Sequence, residues 1–203
     1  MIASNNYFGL LDSYDIPLVA SREINSHEHF NKAVSDLGVP LVLKNFPDDQ
    51  SHKEEAGRII LNLQNHQQAS DAYLQMQKLS GKIVAQKMIY NALEVMIGAK
   101  RDPVLGKIIV FGDGGKLVEI KKDVAFRITP LSKADAIEMI QETNVFHTIN
   151  RYYQDHLLEH LAEVILKVAQ LLTDHPNIIE MDLNPVFITK DNIQVADVRI
   201  IKK

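Results

Sequence analysis

The chain has 203 residues, 46% hydrophobic and 24% charged, with a formal net charge of −4; this is the composition of a globular protein and argues against disorder, collagen and a dominant nucleic-acid footprint. It contains no cysteine, which excludes a disulfide scaffold, a thiolate zinc site, an iron–sulfur cluster and a cysteine nucleophile. No apolar run approaches the roughly 20 residues of a membrane span and Met1–Asn6 lack a basic-then-apolar signal, so a cytoplasmic protein is expected, and its length fits one large domain or two lobes.

Tyr7, Leu10, Leu11 and Tyr14 share a helical face, and Ile16 to Val19 read as a short strand. Ser26 caps a predicted helix running to Leu37, with Phe30, Ala33, Val34 and Leu37 inward and Gly38 ending it. Val39 to Leu43 read as a buried strand that ends at Lys44. After a polar loop come a strand at Ile59 to Leu61 and a helix near Gln67 to Leu79. Strand candidates then follow closely at Ile83 to Ile89, Leu93 to Ala99, Lys107 to Phe111, Leu117 to Ile120 and Val124 to Ile128. Such close spacing implies antiparallel hairpins. Ser132 and Asp135 form a capping-box pair. Leu157, Leu161, Val164, Ile165, Val168, Leu171 and Leu172 mark a long helix from about Asp155 to Leu172, and a hairpin, 178–188 with 193–201, closes the chain. The expected class is α+β: a small αβ lobe over residues 1–80, then an antiparallel-sheet lobe with flanking helices over residues 81–203.

In the last hairpin Glu180, Asp182 and Asn184 alternate with Met181, Leu183 and Pro185, which sets three oxygen-bearing side chains on one strand face. A turn centred between Lys190 and Asp191 puts Asn184 opposite Asp197 and Asp182 opposite Arg199, with Leu183 against Val198 and Met181 against Ile200. An amide and a carboxylate at cross-strand distance suit a hard cation such as Mg²⁺. On spacing alone, an edge hairpin with a solvated polar face is the simpler reading of the pattern. Gly112-Asp113-Gly114-Gly115 between apolar runs reads as a hairpin turn or as a phosphate nest. His52-Lys53 lies in the polar loop between two strands, where a histidine can act as acid, base or nucleophile. Arg101 can grip phosphate or close a turn ion pair. His156, Glu159 and His160 match an H-x-x-E-H zinc pattern, which a polar helix face also produces.

Taken in order, these segments resemble the ATP-grasp domain of ADP-forming acetyl-CoA synthetases, also called nucleoside-diphosphate-forming acyl-CoA synthetases. The resemblance is carried by Leu11 to Pro17, Pro40 to Lys44, Ser51-His52-Lys53, Glu94 with Gly98 to Pro103, Lys122 to Arg127 with Pro130-Leu131, Glu180 to Pro185 and Ala196 to Ile200. It implies one two-lobed ATP-grasp unit that binds ATP or ADP with Mg²⁺. It implies that Lys44 holds phosphates, that Gln86, Lys87 and Met88 border adenine, and that Glu94 and Arg101 line the cleft. The resemblance further implies that Gly112, Gly114 and Gly115 lie under the phosphates, that Asn184, Asp197 and Asp182 serve the metal, and that His52, with Lys53, relays a phosphoryl group. The implied partner is a CoA-binding ligase subunit or upstream domain carrying a phosphohistidine; no nucleic acid or membrane is implied. The chain departs from the family pattern at Glu54, Arg58 and Asp113. Acids near phosphates weaken nucleotide binding unless metal compensates, and a catalytically degraded domain with a structural or regulatory role is the alternative.

Overall fold

Local caps and apolar spacing build most of the elements, which were traced in a computed structural model describing residues 7–47, 57–114, 123–152 and 155–203. Helix α1 (Phe8–Asp12) buries Leu11 and is followed by β1 (Ser21–Ile24). Ser26 Oγ accepts the His29 N–H at 3.1 Å to open α2 (His27–Leu37), and Gly38 ends it at φ +71°, a region that costs glycine little. Strands β2 (Leu41–Phe46) and β3 (Ile59–Leu63) follow, then α3 (His66–Met76), capped by the Asn65 side chain, and β4 (Lys82–Lys87).

Contacts divide the chain into two units. Val19–Tyr90 form an antiparallel four-stranded sheet in the order β1-β4-β2-β3. Phe30, Ala33 and Val34 of α2 and Ala69, Ala72, Tyr73 and Met76 of α3 pack on Leu41, Leu43, Ile83 and Ala85. Strand β4, which the sequence assigns to the second lobe, pairs with both β1 and β2 and so belongs here.

Tyr7–Leu18 and Asn91–Lys203 form the other unit. Its strands are β5 (Leu93–Asp102), β6 (Gly106–Asp113), β7 (Val124–Ile128), β8 (Ile178–Ile188), β9 (Ile193–Val195) and β10 (Val198–Lys202). They pair antiparallel in the order β10-β8-β5-β6-β7, with β9 also on β8. Its helices after α1 are α4 (Lys133–Gln141), α5 (Asn144–Tyr152) and α6 (Asp155–Asp174). The α6 stripe is fully buried with Leu11 and Ile16 in one core, each such side chain being worth roughly 1.5–3 kcal/mol relative to exposure. Ile16 to Val19 do not form a strand; the segment contributes a single bridge, Leu18 to Val195. Helix α5 was not anticipated, and the Leu117–Ile120 strand expectation falls outside the described residues. No helix among the described residues is long and apolar enough to cross a membrane.

Candidate functional site

In the first unit Leu41, Leu43, Ile83 and Ala85 face the helices, so alternation turns Val42 and Lys44 of β2 and Val84 and Gln86 of β4 to the opposite face. The register pairs Val42 with Gln86 and Lys44 with Val84. Lys44 and Gln86 are thus diagonal neighbours, their Cα atoms about 7–8 Å apart, and both are buried, at 6% and 3% exposure. An ammonium removed from water binds an oxyanion more strongly than an exposed one. The strand continues through the exposed Lys87, whose N–H donates to Ala20 O at 2.9 Å, and Met88, whose N–H donates to Pro40 O at 3.3 Å.

In the second unit Val95, Ile97, Ala99, Met181, Leu183, Val198 and Ile200 form the helix-side core. The other sheet face therefore carries Glu94, Met96, Gly98 and Lys100 of β5, Glu180 and Asp182 of β8, and Arg199 of β10. Asp182 stands opposite Arg199 on one side and Gly98 on the other, and Lys100 stands opposite Glu180. The pairs Leu183–Val198 and Met181–Ile200 agree with the register expected from the sequence. Strand β8 is not an edge: it lies between β10 and β5. Where Val95 pairs with Val186 and Ile97 with Leu183, β8 has one residue more than β5, and Asn184 and Pro185 occupy this bulge. A bulge re-aims a side chain and tolerates a proline that a regular central strand would not. The register continues as Val186–Val195, so Asn184 falls opposite Asp197, in the gap between β9 and β10.

Asp182 Oδ1 is buried and has no hydrogen-bond partner. Burial, then the Asp197 and Glu180 charges, hold its carboxyl above the usual range, with Arg199 opposing. An orphaned carboxylate oxygen beside an amide and a second carboxylate is a donor set that fits Mg²⁺. No three carboxylate, imidazole or thiol groups among the described residues form a metal cage by themselves, so phosphate and water oxygens would complete the coordination. The zinc pattern finds no support: Glu159 accepts from Lys133 Nζ at 3.0 Å.

Gly112 and Gly114 sit where backbones touch. A Cβ on Gly112 would meet Asp123 O at 2.4 Å, and one on Gly114 would meet the Glu94 and Val95 backbones at 2.7 Å. The Gly114 N–H donates to Glu94 O at 2.9 Å, so this N–H is engaged with β5 and the missing Cβ makes room for the β5 backbone. The Arg101 guanidinium is already engaged: Nε donates to Ile178 O at 2.7 Å and Nη2 to Leu172 O and to His175 O at 3.2 Å. It closes the C-terminal end of α6, a role its sequence neighbours did not signal. His52, Lys53 and Gly115 lie outside the described residues. Lys100 was not singled out, although the period-two pattern from Glu94 places it on the same face.

The sequence profile of the ATP-grasp domain matches residues 2–201. The chain is 32% identical, over 95% of its length, to "Acetate--CoA ligase [ADP-forming] I subunit beta" of Pyrococcus furiosus, covering 88% of that protein. It is 30% identical to "Acetate--CoA ligase [ADP-forming] I" of Archaeoglobus fulgidus over 95% of its length, but spans only 30% of that longer chain. A solved structure of Ca. Korarchaeum cryptofilum dinucleotide forming acetyl-coenzyme A synthetase 1 superposes with a TM-score of 0.84 at 29% identity, covering 98% of this chain and 92% of that one. That enzyme is in complex with coenzyme A and Mg-AMPPCP, its phosphohistidine segment pointing towards the nucleotide binding site. Two antiparallel sheets, each backed by helices, and a sequence matched almost end to end make this chain a member of the ATP-grasp domain family, of the kind that forms the β subunits of ADP-forming acetate–CoA ligases.

Proposed function

We propose that the chain binds Mg-ADP and Mg-ATP and catalyses the phosphoryl-transfer half of an ADP-forming acyl-CoA ligase, in concert with a CoA-binding subunit or domain that carries the phosphohistidine. The observation that carries this reading is the orphaned Oδ1 of the part-buried Asp182, which stands opposite Arg199 and two residues before Asn184 in the bulge of β8. Asp182, Asn184 and Asp197 would hold Mg²⁺, which when bound neutralises phosphate charge. Lys44 takes up a phosphate oxygen, and Gln86, Lys87 and Met88 border the base. In the ATP-forming direction the N–P bond of the partner's phosphohistidine breaks as a His52 imidazole nitrogen forms a new N–P bond, and that bond breaks in turn as an ADP β-phosphate oxygen forms the O–P bond of ATP, leaving both imidazoles free. The chain's own contribution is positioning and charge neutralisation, and His52 relays the phosphoryl group between the two sites. Summed over both halves, acyl-CoA, ADP and phosphate give acid, CoA and ATP.

Calorimetric titration with Mg-ADP and Mg-ATP tests the binding, with saturable heat expected and lost on chelation by EDTA; its absence would overturn the reading. The acids Glu54 and Asp113 favour a second reading, a grasp domain that binds nucleotide without transferring phosphate. Incubation with radiolabelled ATP and a CoA-binding partner separates the two: label retained on the wild type and lost in His52→Ala supports transfer, whereas no label in either supports the second reading.

A further inference from the structure

Asp113 and Asp123 close a neck. The Asp113 N–H donates to Asp123 O at 3.2 Å, and Gly112 pairs with Val124 so closely that a Cβ would lie 2.4 Å from the Asp123 carbonyl oxygen. Gly114 then lies against β5 with its N–H on Glu94 O. The Asp123 carboxylate turns to the helix layer. It accepts the Asn144 N–H at 3.1 Å on Oδ1 and 2.9 Å on Oδ2, and the Asn144 Nδ2 at 3.1 Å. Asn144 is the first residue of the nine-residue α5, whose Val145 and Ile149 are anchored in the core. A carboxylate at a helix N-terminus is stabilised by the unpaired N–H groups there. Two residues before Asn144, Glu142 takes both Nη atoms of Arg127 at 3.0 and 2.6 Å, so two charged links tie β7 and the neck to the junction of α4 and α5.

We propose that Asp123 is a positioning residue for nucleotide phosphates: it clamps the Gly112–Gly114 neck to the first turn of α5. The inference rests on the reading that this glycine segment lies under the phosphates. A rigid neck keeps Gly114 seated on β5, and the Asn144 donors draw the Asp123 charge away from an incoming anion. Binding a β-phosphate rewards such preorganisation, because a floppy neck would have to be ordered on every encounter.

The test titrates the 203-residue chain with Mg-ADP and records Tm in parallel. Asp123→Ala should weaken Mg-ADP binding about tenfold, the scale of losing hydrogen bonds to a charged group. Asp123→Asn, which keeps an oxygen for the Asn144 N–H, should recover most of the affinity. Asn144→Ala should weaken it by about threefold, the scale of one neutral donor. Ser132→Ala, which unseats the remote α4 cap, should lower Tm without changing the Mg-ADP affinity. Unchanged affinity in Asp123→Ala overturns the proposal, as does an equal loss in Ser132→Ala; if Asp123→Ala fails to fold, unchanged affinity in Asn144→Ala overturns it. No binding by the wild type would instead overturn the nucleotide reading, and this inference with it.

Discussion

Arg101 shows how one side chain can look like a phosphate ligand and be engaged elsewhere. Its fork serves the Leu172, His175 and Ile178 carbonyls, partners more than 70 residues away that no local pattern announces. Arg101→Lys should therefore destabilise by about 2 kcal/mol, because one ammonium cannot replace a planar fork and carbonyls are left unpaired. Mg-ADP affinity should stay within about twofold; urea unfolding and calorimetry would check both. Asp182 makes the opposite case, since period-two alternation, together with a turn centred between Lys190 and Asp191, sets it opposite Arg199. Unfolded, its carboxyl loses its proton near 3.8; folded, burial and Asp197 keep the proton on to a higher pH. Ionisation thus costs stability, and the cost grows as pH rises from 3.8 through the folded value and is complete above it. Asp182→Asn should raise Tm of the nucleotide-free protein by about 2 °C near pH 7, with the gain vanishing near pH 4 in a scanning-calorimetry series. With Mg-ADP present the order should invert if the variant has lost a carboxylate that, as proposed above, holds the metal.

Elements were legible where their signals are local. Ser132 and Asp135 form the expected capping box, Ser132 N–H and Oγ–H both donating to Asp135 Oδ2 at 2.7 Å and Oγ accepting the Asp135 N–H. Ser132→Ala should lower Tm by about 2–4 °C in thermal unfolding. Helix α5 escaped notice for the converse reason: the carboxylate that satisfies its first N–H comes from Asp123, 21 residues upstream. Likewise, the last hairpin could be read from its own alternation. That β8 also pairs with β5, making it central, depends on partners 80 or more residues away. The bulge holding Asn184 and Pro185 follows from that second pairing and has no signature in the hairpin itself. Gly114→Ala should push the segment off β5, since the new Cβ would fall 2.7 Å from backbone atoms; Mg-ADP titration should show weaker binding by about tenfold or more.

At the scale of the molecule, the α+β class and two lobes could be read from apolar runs and turn spacing, and the order of motifs led to the family. The path of the chain could not. Tyr7, Leu11 and Ile16 belong to the core built by residues after Asn91, because burial there outweighs closeness in sequence to β1. Strand β4 likewise follows its hydrogen bonds into the first sheet. Saturating Mg-ADP should raise Tm by several degrees: at a hundred times Kd a ligand contributes about 2.7 kcal/mol. Along the sequence Val19–Tyr90 sit as a guest between the two stretches, Tyr7–Leu18 and Asn91–Lys203, of a host unit. The guest's two ends meet, Ala20 O accepting the Lys87 N–H at 2.9 Å, so the host could close without it. Residues 7–18 spliced through a short flexible linker to 91–203 should give a fragment that melts cooperatively by circular dichroism. Residues 91–203 alone, with the seats of Leu11 and Ile16 vacant, should not.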